Sequence, residues 1–150
     1  MKVYAELYSR GKGFTIYCVG DGPYLKELKN KTEGLGRFEF LGPLFGEELA
    51  EVYASADLFM FPSLTDTFGN VVLEAQASGL PCVVMNQGGP KEIIVDGKSG
   101  IVANDENGFI NAIEQLMTDN NLRDQMSKSA VINSGQFDKH EIFTNFWQNL

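Results

Sequence analysis

Short apolar runs alternate with helical patterns through the first two thirds of the chain, and that alternation leaves few folds open. The runs are FTIYCV (residues 14–19), FEFL (38–41), LFMFP (58–62), CVVM (82–85) and a weaker GIVA (100–103). Each is mostly apolar rather than alternating, as expected of a strand covered on both faces. Helical patterns over residues 24–33, 47–56 and 70–78 lie between them. In the second, Leu49, Val52, Tyr53 and Ala56 repeat at the spacing of one buried stripe. Strand and helix in alternation imply right-handed crossovers and a parallel sheet.

After Asp105 the pattern becomes all-helical: residues 106–118 and 121–134 are amphipathic, and the closing DKHEIFTNFWQNL puts Ile142, Phe143, Phe146, Trp147 and Leu150 on one face. The start is the odd part. Val3, Tyr4, Leu7 and Tyr8 form a short helical stripe that ends at GKG, so a helix comes first with no strand before it. A doubly wound sheet normally begins with a strand that ends up central. The expected fold class is therefore α/β, a Rossmann-like doubly wound parallel sheet lacking its first strand, with an all-helical C-terminal segment. At 150 residues, 43% hydrophobic and 21% charged, the chain reads as one soluble domain over residues 1–150, cut from something longer.

A net charge of -8 argues against nucleic acid or an anionic membrane as partner. A small anion can still be held locally by helix N-termini. Cys18 and Cys82 each sit in an apolar run and read as buried, inert thiols, which favours a reducing compartment. No run is long enough to span a bilayer, and the start lacks the apolar core of a signal peptide. The expected location is the cytoplasm, with peripheral work at a membrane left to segments outside this chain.

Three stretches could carry chemistry. In VGDGPYLKEL a strand runs into Gly20, Asp21 and Gly22, then a helix with Pro23 at its start; the glycines allow a tight turn or a ligand's close approach. In FLGPL, Gly42, Pro43 and Leu44 follow a strand's carboxyl end, where ligands of open α/β sheets collect. Either could equally be a plain turn. The most specific stretch is TDTFGNVVLEAQASGLP. Asp66 stands in a loop and a helix begins near Asn70, so amides around Phe68, Gly69, Asn70 and Val71 are expected to point into a crevice at the positive end of a helix dipole. Glu74 follows one turn in, among Val71, Val72, Leu73, Ala75 and Ala77. A carboxylate in such company is costly unless hydrogen bonds reach it, and a ribose diol would supply two. The blander alternative is that Glu74 faces solvent and Asp66 caps its own loop.

Taken together, VGDGPYLKEL, FLGPLFGEELAEVYASADLFMFPS, TDTFGNVVLEAQASGLP and GGPKEII resemble the carboxyl-terminal, donor-binding domain of retaining glycosyltransferases with the GT-B fold, the group 1 or family 4 type, in order and in spacing over nearly the whole chain. The family carries a carboxylate one residue before Phe-Gly, usually Glu, and a second Glu further on. Asp66 and Glu74 occupy those positions. The resemblance implies that these two form the catalytic pair: Asp66 and the amides of residues 67–70 would hold the transferred sugar and distal phosphate, and Glu74 the ribose diol. Gly20, Asp21 and Gly22, with Gly42, Pro43 and Leu44, would line the nucleotide pocket. Neither carboxylate is then a nucleophile, unlike the paired acids of glycosidases. No metal and no cofactor are implied; the substrate is a nucleotide-diphosphate sugar, with uridine as the expected base.

Two departures qualify the resemblance. Asp66 is one methylene shorter than the usual Glu. The family's phosphate-neutralising Arg and Lys would lie upstream of Met1, and Lys2, Arg10 and Lys12 do not stand in their place. The acceptor-binding amino-terminal domain is absent too, so the chain alone is expected to be inactive and to need that domain or a partner chain. The alternatives are a non-catalytic or split-enzyme subunit, and another GT-B enzyme such as a sugar-nucleotide epimerase. His140 is expected to be structural or at the surface. GGPKEII reads as a loop and helix start with Glu92 near its N-terminus, and the aromatic stripe at the end reads as core.

Overall fold

The computed structural model describes residues 6, 7, 9, 13–35 and 37–137, which fall into two compact units divided between Val52 and Tyr53. In the first, β1 (Ile16–Val19) pairs in parallel with β2 (Phe38–Gly42), and α1 (Leu25–Thr32) connects them. Lys29 Nζ stands 5.4 Å from the centre of the Phe40 ring, so α1 covers the face that Cys18 and Phe40 share. Tyr17 and Val19, on the other face, remain 40% and 41% exposed. The expectation that every strand is covered on both faces is corrected here: an apolar run shows that its residues can be buried, not which face a neighbour covers. Of the N-terminal stripe only Leu7 is described; it is buried and helical, as are Glu6 and Ser9 beside it, while Val3, Tyr4 and Tyr8 lie outside the described residues.

Helix α2 (Gly46–Ser55) leads into the second unit, where β3 (Phe59–Phe61), β4 (Cys82–Met85) and β5 (Gly100–Ala103) form a parallel sheet in the order β3-β4-β5. As the middle strand, β4 does behave as its composition suggested: Cys82, Val83 and Val84 are completely buried. Burying a side chain of this kind is worth about 1.5–3 kcal/mol. Helices α3 (Asn70–Ala77), α4 (Pro90–Ile93), α5 (Glu106–Thr118) and α6 (Asn120–Gly135) complete the unit. The fold class is the expected one, Rossmann-like parallel sheet with helices. The sheet is present as two runs, β1-β2 and β3-β4-β5.

Acidic caps place the last helices. Asp105 accepts a bond from the Gly108 amide at 2.7 Å to open α5. Asp119 accepts from the Leu122 amide at 2.9 Å to open α6. The capping pattern accounts for the helical segment after Asp105. Between α3 and α6 the contact is polar and buried. Gln76 Nε2 donates to the Ser99 carbonyl and hydroxyl, both at 3.0 Å. Asn133 Nδ2 donates to Gln76 Oε1 at 2.8 Å and to the Ile93 carbonyl at 2.7 Å. Asn133→Ala leaves both acceptors unmet, and urea unfolding should show a loss of about 2–3 kcal/mol. Ile132→Ala, one residue earlier and 71% exposed, should change stability by less than about 0.5 kcal/mol.

Candidate functional site

The loop from β3 to α3 carries the expected acid. Asp66 is half-buried, and its Oδ1 accepts a hydrogen bond from the Phe68 amide at 3.0 Å. The Phe68 amide is thus spent inside the loop, which corrects its expected place among amides offered to a ligand. Gly69 stands at the N-cap of α3 with φ +87, a left-handed conformation natural to glycine, and no side chain caps the helix. The first helical hydrogen bond runs from the Val72 amide to the Gly69 carbonyl at 2.8 Å. The Asn70 and Val71 amides precede it, at the positive end of the helix dipole. Thr67, Phe68 and Asn70 are exposed around this end, and Gly69 is buried.

A second loop, after β4, holds the first in place. The Gly89 amide donates to the Asp66 carbonyl at 3.0 Å. A β-carbon at Gly89 would lie 2.1 Å from the Thr67 carbonyl oxygen, and one at Gly88 2.4 Å from that of Asp66. Only glycine lets two backbones approach so closely. GGPKEII is indeed a loop and helix start, with Pro90 in the first turn of α4. Its bracing role was missed by sequence reasoning; two adjacent glycines after a buried strand were the available signal. Glu92 is exposed and lies 3.8 Å from Lys91.

Glu74 differs from the expectation more sharply. Its neighbours in sequence are apolar, yet the side chain is exposed, because Val72, Ala75 and Gln76 form the buried face of α3 and Glu74 lies off it. The desolvation argument for a ligand therefore does not apply, and the solvent-facing alternative describes its burial. The carboxylate is not left to water alone: Tyr53 donates its hydroxyl to Glu74 Oε2 at 3.3 Å, and the same hydroxyl lies 3.4 Å from the Val71 carbonyl. Burial first, then the charge of Glu74, pushes the Tyr53 phenol above its ordinary range. It stays a proton donor throughout the physiological range. Sequence reasoning had assigned Tyr53 to a core stripe only.

The remaining expected residues form a separate cluster in the first unit. The Gly20 amide donates to the Gly42 carbonyl at 2.8 Å, which joins the ends of β1 and β2. Asp21 Oδ1 accepts from the Gly22 amide at 2.7 Å; Pro43 is exposed and Leu44 half-buried. An open groove of about 470 Å³ runs along residues 18–25 and the Glu27, Leu28 and Lys31 side of α1. Burial raises both cysteine thiols, and only Cys82 is completely buried; Cys18 is half-buried. Among the described residues no cluster of His, Cys, Asp or Glu could hold a metal, and no helix is long and apolar enough to cross a membrane. Lys2, Arg10, Lys12, His140 and the terminal aromatic stripe lie outside the described residues. Gly89→Ala should separate the two loops, moving the amide resonances of residues 66–68 and costing about 2 kcal/mol or more. Gly22→Ala, with open space around it, should cost less than about 1 kcal/mol and leave those resonances in place.

Comparison with known proteins gives one answer. The family model described as Glycosyl transferases group 1 matches residues 1–119. The chain is 38% identical to the sulfoquinovosyl transferase SQD2 of Arabidopsis thaliana over 82% of its own length and 25% of that protein's. With the lipopolysaccharide core biosynthesis glycosyltransferase LpsE of Rhizobium meliloti it shares 31% identity over 97% of its length and 44% of the relative's. Among solved structures, Anabaena HepE in complex with UDP and glucose superposes with a TM-score of 0.82 at 25% identity, over 99% of this chain and 44% of that one. The chain thus spans less than half the length of these relatives. Motifs, parallel-sheet fold and family match agree, and the chain belongs to the group 1 glycosyltransferases.

Proposed function

We propose that these 150 residues are the donor-binding domain of a retaining glycosyltransferase that takes a hexosyl group from a nucleotide-diphosphate sugar. The observation that carries the reading is the uncapped N-terminus of α3, set between one carboxylate before it and another one turn inside it. A helix N-terminus offers amides and a positive field to phosphate, even on a chain of net charge -8. The Asn70 and Val71 amides hold the distal phosphate. Asp66, with one oxygen committed to its loop, offers the other to a sugar hydroxyl. Glu74 accepts from the ribose diol. Gly20, Asp21, Gly22, Gly42, Pro43 and Leu44 line the nucleotide pocket, with Thr67, Phe68 and Gly69 beside the sugar.

In this reading the chemistry is electrostatic. As the glycosidic bond to the diphosphate breaks, negative charge grows on the leaving oxygen next to the helix end, which stabilises it in the transition state. The acceptor attacks the same face with help from that leaving group, so configuration is retained with neither Asp66 nor Glu74 forming a bond to the sugar. The acceptor-binding part belongs to another segment or chain, and the acceptor is a glycan or glycolipid of the cell envelope, met on the cytoplasmic side. Uridine is favoured because a similar structure, HepE, holds UDP.

Nitrogen-proton correlation spectra of the chain titrated with uridine, guanosine and adenosine diphosphates test this. One base should move the Gly69 and Glu74 resonances, and Glu74→Ala should weaken that nucleotide at least about ten-fold, the effect of losing charge-assisted hydrogen bonds. A dispersed spectrum indifferent to all three diphosphates would contradict it and turn attention to a non-catalytic subunit.

A further inference from the structure

We propose that Tyr53 is a positioning residue that fixes the Glu74 carboxylate in the orientation that receives a ribose diol, an inference that rests on the donor-binding reading for its ligand. Tyr53 lies on α2 and Glu74 on α3, so the bond between them joins two helices. The ring is 9% exposed and packs edge-on against Phe59, with centroids 6.0 Å apart. Packing thereby fixes where the hydroxyl stands. Glu74 has no such packing: it is exposed and carries three free torsions, whose ordering on binding would cost entropy.

The hydroxyl carries one proton and has two acceptors within reach, Glu74 Oε2 at 3.3 Å and the Val71 carbonyl at 3.4 Å. Val71 lies in the first turn of α3, where a carbonyl already accepts the helical bond from four residues on. The carboxylate, being charged, is the stronger acceptor and takes the proton. One oxygen of Glu74 is then held by the phenol while the other is presented outward. A diol binding there meets a carboxylate whose torsions are already set, and the entropy lost on binding is smaller.

Tyr53→Phe keeps the ring and removes only the donor, so it separates positioning from packing. Two readouts on the 150-residue chain decide the matter. The first needs no ligand: three-bond couplings of the Glu74 side chain should report one dominant rotamer in the wild type and averaged rotamers in Tyr53→Phe. Unchanged couplings would overturn the proposal, whatever the chain binds. The second uses UDP as probe. Tyr53→Phe should weaken UDP about five-fold in the wild-type background, the scale of one long hydrogen bond to a charged group, and less than about two-fold where Glu74→Gln is already present. An equal loss in both backgrounds would mean that Tyr53 acts through the fold, and would overturn the proposal. Averaged couplings in a chain whose wild type ignores UDP would support the positioning and contradict the donor reading instead.

Discussion

Gln76 is completely buried on the helix that also carries Glu74, and its amide has to be met at both ends. Its nitrogen reaches Ser99 and its oxygen receives Asn133, which bonds in turn to the Ile93 carbonyl; Ser99 also accepts from the Val95 amide at 2.9 Å. This chain of bonds ties α3 to α6, to the end of α4 and to the turn before β5. An unmet buried partner costs about 1–3 kcal/mol, so the bonds fix the rotation of α3 about its axis. A slip of one residue, about 100° of rotation, would remove Gln76 from the network and swing Glu74 away from Tyr53. The geometry of the exposed face depends on a set of bonds on the buried one.

The two carboxylates are held by different means, and the difference follows from their places in the chain. Asp66 is in a loop and is oriented from within, by the Phe68 amide two residues on. Glu74 is on a helix surface, and the hydroxyl that orients it comes from another helix. Between them stands the N-terminus of α3, which no side chain caps. An acidic chain has little general attraction for a diphosphate, so binding depends on local dipoles of this sort rather than on the whole protein's field. The glycines at 88 and 89 let the backbone after β4 lie directly against the acidic loop, and Pro90, next in the chain, packs beside the helix end, where a β-carbon on Gly69 would lie 3.0 Å from its ring.

Much of this was legible in the sequence. Periodicity gave the order of strands and helices, and β4, apolar throughout, sits buried in the middle of its sheet. Helices Glu106–Thr118 and Asn120–Gly135 stand close to the expected 106–118 and 121–134, with Asp105 and Asp119 as caps. Three features were less legible, for physical reasons. The exposure of Tyr17 and Val19 depends on which face a neighbour covers, and composition is silent on that. Glu74 looked buried because its neighbours are apolar, but a helix turns about 100° per residue, and adjacent positions need not share a face. Tyr53 and Gly89 act through contacts 21 residues or more away in sequence, beyond any local pattern.

The most direct test of the account is a crystal structure of this chain with a uridine-diphosphate sugar. The distal phosphate should lie within hydrogen-bonding distance of the Asn70 and Val71 amides, the ribose hydroxyls on Glu74 and a sugar hydroxyl on Asp66. A nucleotide bound with its phosphates away from the start of α3, or its ribose away from Glu74, would contradict it.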